Sequence, residues 1–173
     1  DFFYRRNNEF WKDKAMQKLP ALLDSTGMLA CGEDLGMIPA TVPQVMDDLR
    51  ILSLEIQRMP KSVEETFAHP ANYPYLSVCT TSTHDMNPIR AWWEEDREVT
   101  NDFWHMILGN QGEAPYFCEP WICRQILDQH VWSPAMLTIL PLQDWLSMDE
   151  QLRREDPNTE RINVPANSRH YWR

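Results

Sequence analysis

Four short apolar runs, each ending in polar residues and separated by stretches of helical spacing, constrain this fold more than any other feature. They are Met28-Leu29-Ala30-Cys31-Gly32, residues 51–57, residues 76–80 and Met136-Leu137-Thr138-Ile139-Leu140-Pro141. Apolar strands alternating with helices predict parallel β/α units, because such strands are covered on both faces. The spacing of apolar residues predicts helices over 7–23, 43–49, 89–98, 102–108 and 120–130. Asn7 and Thr41 are the expected caps of the first two, and Pro20 is expected to kink or split the first. The fold class is therefore α/β. With 173 residues, four units in succession fit half of a (β/α)8 barrel, which in full takes about 250 residues. The same units could also form a small open doubly wound sheet.

The charge balance narrows the partners. Lys plus Arg number 16 against 26 for Asp plus Glu, a net charge of −10. Phosphate contacts need clustered cations, so neither nucleic acid nor an anionic membrane surface is expected. No run approaches the roughly 20 apolar residues of a membrane helix. With five glycines and no GxGxxG or GxxxxGK, a nucleotide loop is also excluded. The four cysteines, at 31, 79, 118 and 123, lack zinc spacing and read as reduced, buried thiols of a cytosolic protein. Eight tryptophans are more than a core requires. Their wide faces suit sugar rings, although tryptophan is also core material. The chain opens on Asp1 without a leader pattern and ends on His170-Tyr171-Trp172-Arg173 without a polar taper. It reads as a piece of a longer protein.

Residues able to do chemistry stand just past the apolar runs: Glu33 and Asp34 after the first, His84 and Asp85 after the third, Gln143 and Asp144 after the fourth. In a parallel barrel these positions converge on one pocket. Two carboxylates facing one pocket is the arrangement that breaks or makes a glycosidic bond, one protonating the leaving oxygen while another steadies the cationic sugar. Glu33 and Asp34 could equally be solvated loop or cap acids. No HExxH and no GxSxG occurs, so neither a metal nor a serine nucleophile is expected. His84 reads as a neutral hydrogen-bond donor to a sugar hydroxyl. Trp92 and Trp93 are either helix anchors or sugar platforms, with Glu94, Glu95 and Asp96 facing water.

Three anchors in order carry a family resemblance. Cys31-Gly32-Glu33-Asp34-Leu35-Gly36 resembles the acid/base motif of the 4-α-glucanotransferases, also called amylomaltases or disproportionating enzymes. Thr83-His84-Asp85 with Trp92-Trp93 resembles the motif of their transition-state-stabilising Asp. Pro141-Leu142-Gln143-Asp144 and Arg161-Ile162-Asn163-Val164-Pro165 resemble the family's last strand and closing segment. Met86, Trp92-Trp93-Glu94-Glu95-Asp96 and Pro165-Ala166-Asn167 are similar to the plant cytosolic type, whose members carry starch-binding modules upstream. The resemblance implies the C-terminal half of a (β/α)8 barrel over residues 1–173. It also implies Glu33 as general acid and base, Asp85 as stabiliser, and Asp34, His84, Trp92, Gln143 and Asp144 as sugar contacts. The implied reaction moves glucosyl units from maltose or malto-oligosaccharides to a soluble heteroglycan or glycogen-like glucan, in the cytosol and without a cofactor. The family's nucleophile sits in an Arg-x-Asp-His motif that does not occur here, so the rest of the barrel is the expected partner. Two competing expectations are a non-catalytic carbohydrate-binding module and an inactive structural remnant.

Overall fold

The computed structural model describes residues 5–171. Asp1, Trp172 and Arg173, all noted above, lie outside the described residues. Helices α1 (Asn8–Asp24) and α2 (Val42–Asp48) precede strand β1 (Ser53–Ile56) and strand β2 (Ser77–Thr80). Helices α3 (Ile89–Trp93), α4 (Arg97–Met106) and α5 (Pro120–Val131) lead to strand β3 (Leu137–Thr138) and helix α6 (Leu142–Leu146). The class is α/β, as expected, with a parallel sheet in the order β1-β2-β3.

The first apolar run does not form a full strand. It contributes one parallel bridge, Cys31 to Leu52, closed by Gly32 N–H to the Leu52 carbonyl at 2.8 Å and Leu52 N–H to the Ala30 carbonyl at 2.9 Å. Every strand position thus lies beside its predecessor in sequence. All four residues of β2 are buried, the burial expected of a strand covered on both faces. Its polar side chains are satisfied locally: Ser77 Oγ donates to the Pro74 carbonyl at 2.6 Å and Thr80 Oγ1 to the Ser82 carbonyl at 3.1 Å.

Three helix expectations are corrected. Pro20 lies inside α1 without splitting it, because Trp11, Leu19 and Leu23, on both sides of the proline, pack on one cluster with Val42, Met46 and Ile51. Asn7 and Thr41 make no side-chain cap bonds, and Thr41 Oγ1 instead donates to the Asn8 carbonyl at 3.3 Å. The helix expected over 89–98 breaks, since Asp96 caps a new helix by accepting from the N–H groups of Glu98 (2.9 Å) and Val99 (3.2 Å).

The larger core lies between α3, α4 and α5 and is aromatic. Phe103 meets Phe67 and Trp92 edge to face, each at 5.1 Å, and Trp93 meets Trp104 at 6.2 Å. Edge-to-face packing is what the ring quadrupole favours. Part of the tryptophan surplus is therefore core. The four cysteines are free thiols; Cys79, Cys118 and Cys123 are buried, whereas Cys31 is exposed at the first edge of the sheet, against the expectation of burial.

Candidate active site

The C-terminal ends of the strands carry the polar residues. Glu33 and Asp34 follow the Cys31 bridge, Arg58 follows β1, and the segment 81–88 follows β2. Glu33 is exposed, and its Oε1 accepts from Leu35 N–H at 2.9 Å, which turns the carboxylate back over its own loop. Asp85 is half exposed. Its Oδ1 lies 3.4 Å from His84 Nε2 and accepts a short hydrogen bond from Asn163 Nδ2, while its carbonyl accepts from Arg161 Nη2 at 2.9 Å. The closing segment thus reaches back to orient Asp85.

Glu33 and Asp85 line one hollow of about 500 Å³, with Leu35, Gly36 and Met59 on one wall and Thr83, His84 and Met86 on the other. That volume suits a small-molecule site. A second hollow of about 320 Å³ shares Thr83, His84 and Met86 with the first and extends past Leu140 to Gln143. Two carboxylates, an imidazole and apolar methionine and leucine walls can bind a sugar and supply a proton donor beside a stabilising anion. Among the described residues, no group of three or more His, Cys, Asp or Glu side chains is gathered as a metal site requires.

Three expected sugar contacts are turned inward. Asp34 is 4% exposed, and its oxygens accept from Leu54 N–H at 3.0 Å and Lys61 Nζ at 2.7 Å. Asp144 is fully buried; Ile89 N–H donates to Oδ1 at 2.8 Å and Thr81 Oγ1 makes a short bond to Oδ2. Both carboxylates anchor loops here. Burial pushes the Asp144 pKa up, against the pull of the Thr81 and Ile89 hydrogen bonds and the Arg58 charge. Trp92 is half-buried, packed on Phe67 and Phe103, with the Arg58 guanidinium 4.9 Å from its ring. Among the described residues, no tryptophan lines either hollow. The large apolar side chains met there are instead aliphatic or methionine, among them Met59, Met86, Leu35, Ile139, Leu140 and Leu142.

Reading the strand ends also missed Arg58, Arg161 and Asn163. Arg58 stands just past the second apolar run, as Glu33 and His84 stand past theirs, and that position was the available signal. Arg161 and Asn163 fall in a segment without strand or helix pattern, so nothing local tied them to Asp85. Their segment is anchored by a buried ion pair, Arg90 Nη1 to Glu160 Oε1 at 2.9 Å, reinforced by Arg154 N–H to the same oxygen at 3.0 Å. Removing one partner of such a pair strands a buried charge and costs about 3–5 kcal/mol, whereas an apolar replacement of both is far milder. Arg90→Met is therefore expected to lower the urea midpoint of the full-length protein sharply. Arg90→Met combined with Glu160→Leu should recover most of that loss; an Arg90→Met midpoint equal to the parent's would contradict the anchor.

The sequence profile of the 4-alpha-glucanotransferases matches residues 1–173. The chain is 42% identical over 173 residues to 4-alpha-glucanotransferase DPE2 of Oryza sativa subsp. japonica, covering 100% of this chain and 18% of that protein. It is 31% identical over 167 residues to the 4-alpha-glucanotransferase of Chlamydia muridarum, covering 92% of this chain and 30% of that one. The amylomaltase of Streptococcus agalactiae, solved in complex with acarbose, superposes with a TM-score of 0.66 at 18% identity, over 92% of this chain and 30% of its own. The chain thus spans less than a third of the length of these relatives. With a profile match over its whole length and the Glu33 and Asp85 motifs at one hollow, the chain belongs to the 4-alpha-glucanotransferase family.

Proposed function

We propose that residues 1–173 form the C-terminal part of a (β/α)8 catalytic barrel whose complete form is a retaining 4-α-glucanotransferase. The observation that carries this reading is that Glu33 and Asp85, 52 positions apart by numbering (85 − 33), line a single hollow past the strand ends. Successive parallel strands without reversal of order support a barrel over a doubly wound sheet. Glu33 protonates the leaving glycosidic oxygen and then takes the proton from the incoming sugar hydroxyl. Asp85 steadies the oxocarbenium-like sugar, with His84 and Gln143 as hydrogen-bonding neighbours. The nucleophilic carboxylate is supplied by another part of the full protein, so the partner of this chain is the rest of its own barrel. Glucosyl units move from maltose or malto-oligosaccharides to a soluble heteroglycan or glycogen-like glucan in the cytosol. Apolar walls around the covalent intermediate favour a sugar acceptor over water.

The test gives the full-length protein glycogen and maltose labelled in its non-reducing glucose. Label should enter the polymer in α-linkage while an equal amount of free glucose is released. Label recovered only as free glucose would make the site a hydrolase and overturn the transfer reading.

A further inference from the structure

Two side chains, half-buried Arg58 and buried Asp144, hold both ends of the segment that carries Asp85. Arg58 donates from Nε and Nη2 to the Thr81 carbonyl at 3.1 and 2.9 Å, and from Nη2 to the Asn87 carbonyl at 2.8 Å. Asp144, from α6, takes the Thr81 hydroxyl at one end and Ile89 N–H at the other. His84 and Asp85 lie between these attachment points. The Nε and Nη2 N–H bonds converge on the one Thr81 carbonyl, a planar two-point grip that arginine has and lysine lacks, while Nη2 also reaches the Asn87 carbonyl six positions on. The guanidinium carbon itself lies over the Trp92 ring, 4.9 Å from its centroid. Arg58 Nη1 is buried with no hydrogen-bond partner among the described residues. Arg58 lines neither hollow, and its effect on a bound sugar must pass through the loop.

We infer that Arg58 is a positioning residue for glucosyl transfer: it fixes the loop from Thr81 to Asn87 from beneath, and through it the carboxylate of Asp85. The inference rests on the reading of Asp85 as the carboxylate facing the sugar. Displacing a reacting group by about 1 Å can cost about 10²-fold in rate, and a loop released from Arg58 has that freedom.

The experiment is steady-state transfer from maltose to glycogen by the full-length protein carrying Arg58→Lys, with Asp85→Asn alongside. Lysine keeps the charge and loses the planar grip. Arg58→Lys should lower kcat per folded molecule about 10²-fold while KM for maltose moves less than about 3-fold, because ground-state contacts remain. A lowered Tm with kcat within about 3-fold of the parent would make Arg58 a structural residue only and overturn the inference. Should the lysine variant not fold, Arg58→Gln is the second variant. Failure of both to give soluble protein, where Asp85→Asn does, would also overturn it. Near-parent activity in Asp85→Asn would remove the Asp85 reading and the inference with it. Loss in Asp85→Asn without loss in Arg58→Lys removes the inference alone.

Discussion

Expressed by itself, the 173-residue chain is expected to be poorly soluble and to transfer no glucose from maltose to glycogen; joined to the rest of its protein, it should fold and work. Among the described residues, the sheet has two open edges. At one, the Cys31 bridge is paired only with Leu52, and beside it Met28 and Leu29 stand 77% and 56% exposed. At the other, β3 is paired only with β2 and is flanked by exposed Ile139 and Leu142. Open edges beside apolar side chains template pairing between copies. The chemistry is incomplete as well. A retaining transfer needs a carboxylate nucleophile on the opposite face of the anomeric carbon from the acid. The inward turn of Asp34 and Asp144 leaves neither available as a substitute. Size-exclusion chromatography and a glucose-release assay on the isolated chain decide the matter. A soluble monomer with measurable transfer would refute both the part-barrel reading and the placement of the nucleophile elsewhere.

The strands and helices were legible wherever burial is decided by a local pattern. The β2 run, flanked by turn residues, announced a strand buried on both faces, and Pro120 opened α5 at the expected position. What escaped was set by partners distant in sequence. Pro20 should have broken α1, yet the packing of Trp11, Leu19 and Leu23 on α2 outweighs one lost backbone hydrogen bond. The site shows the same division. Glu33 and His84-Asp85 stand out as ionisable residues within a few positions of the ends of apolar runs, and the fold brings them to one hollow. Asp34 and Asp144 satisfy that rule equally well but point the other way, because each has a backbone N–H and a cation within reach. A strand end marks which residues are near the site; alternation and local hydrogen bonding decide which of two adjacent acids faces it. The tryptophans mislead for a related reason. Trp93 and Trp104 are core, while Trp121 and Trp132 lie exposed on and just after α5, away from the hollow.

The other large effect is expected from Glu33→Gln in the full-length protein, which should slow transfer from maltose about 10³-fold, inside the range for a lost general acid and base. The substitution isolates chemistry from structure. Glutamine Oε1 can still accept from Leu35 N–H, the contact that Glu33 makes at 2.9 Å, so the loop keeps its shape. Glu33 is exposed, so stability should stay within about 0.5 kcal/mol of the parent. Glycogen binding should persist as well, since an amide donates and accepts to hydroxyls where a carboxylate only accepts. Only the transferable proton is gone. The loss should therefore depend on the leaving group. Maltose expels a sugar alkoxide and needs protonation, whereas α-glucosyl fluoride expels fluoride and does not. With the fluoride donor, formation of the glucosyl intermediate should recover to near the parent rate. The deglycosylation step, which needs Glu33 as a base toward the acceptor hydroxyl, should stay slow, so a burst of fluoride release should precede a slow steady state. Equal losses with both donors in the step that forms the intermediate, with no burst of fluoride, would mean that Glu33 holds the sugar without moving a proton. Transfer from maltose within about 3-fold of the parent would return Glu33 to an ordinary loop acid, since general acid–base catalysis contributes at least about 10²-fold.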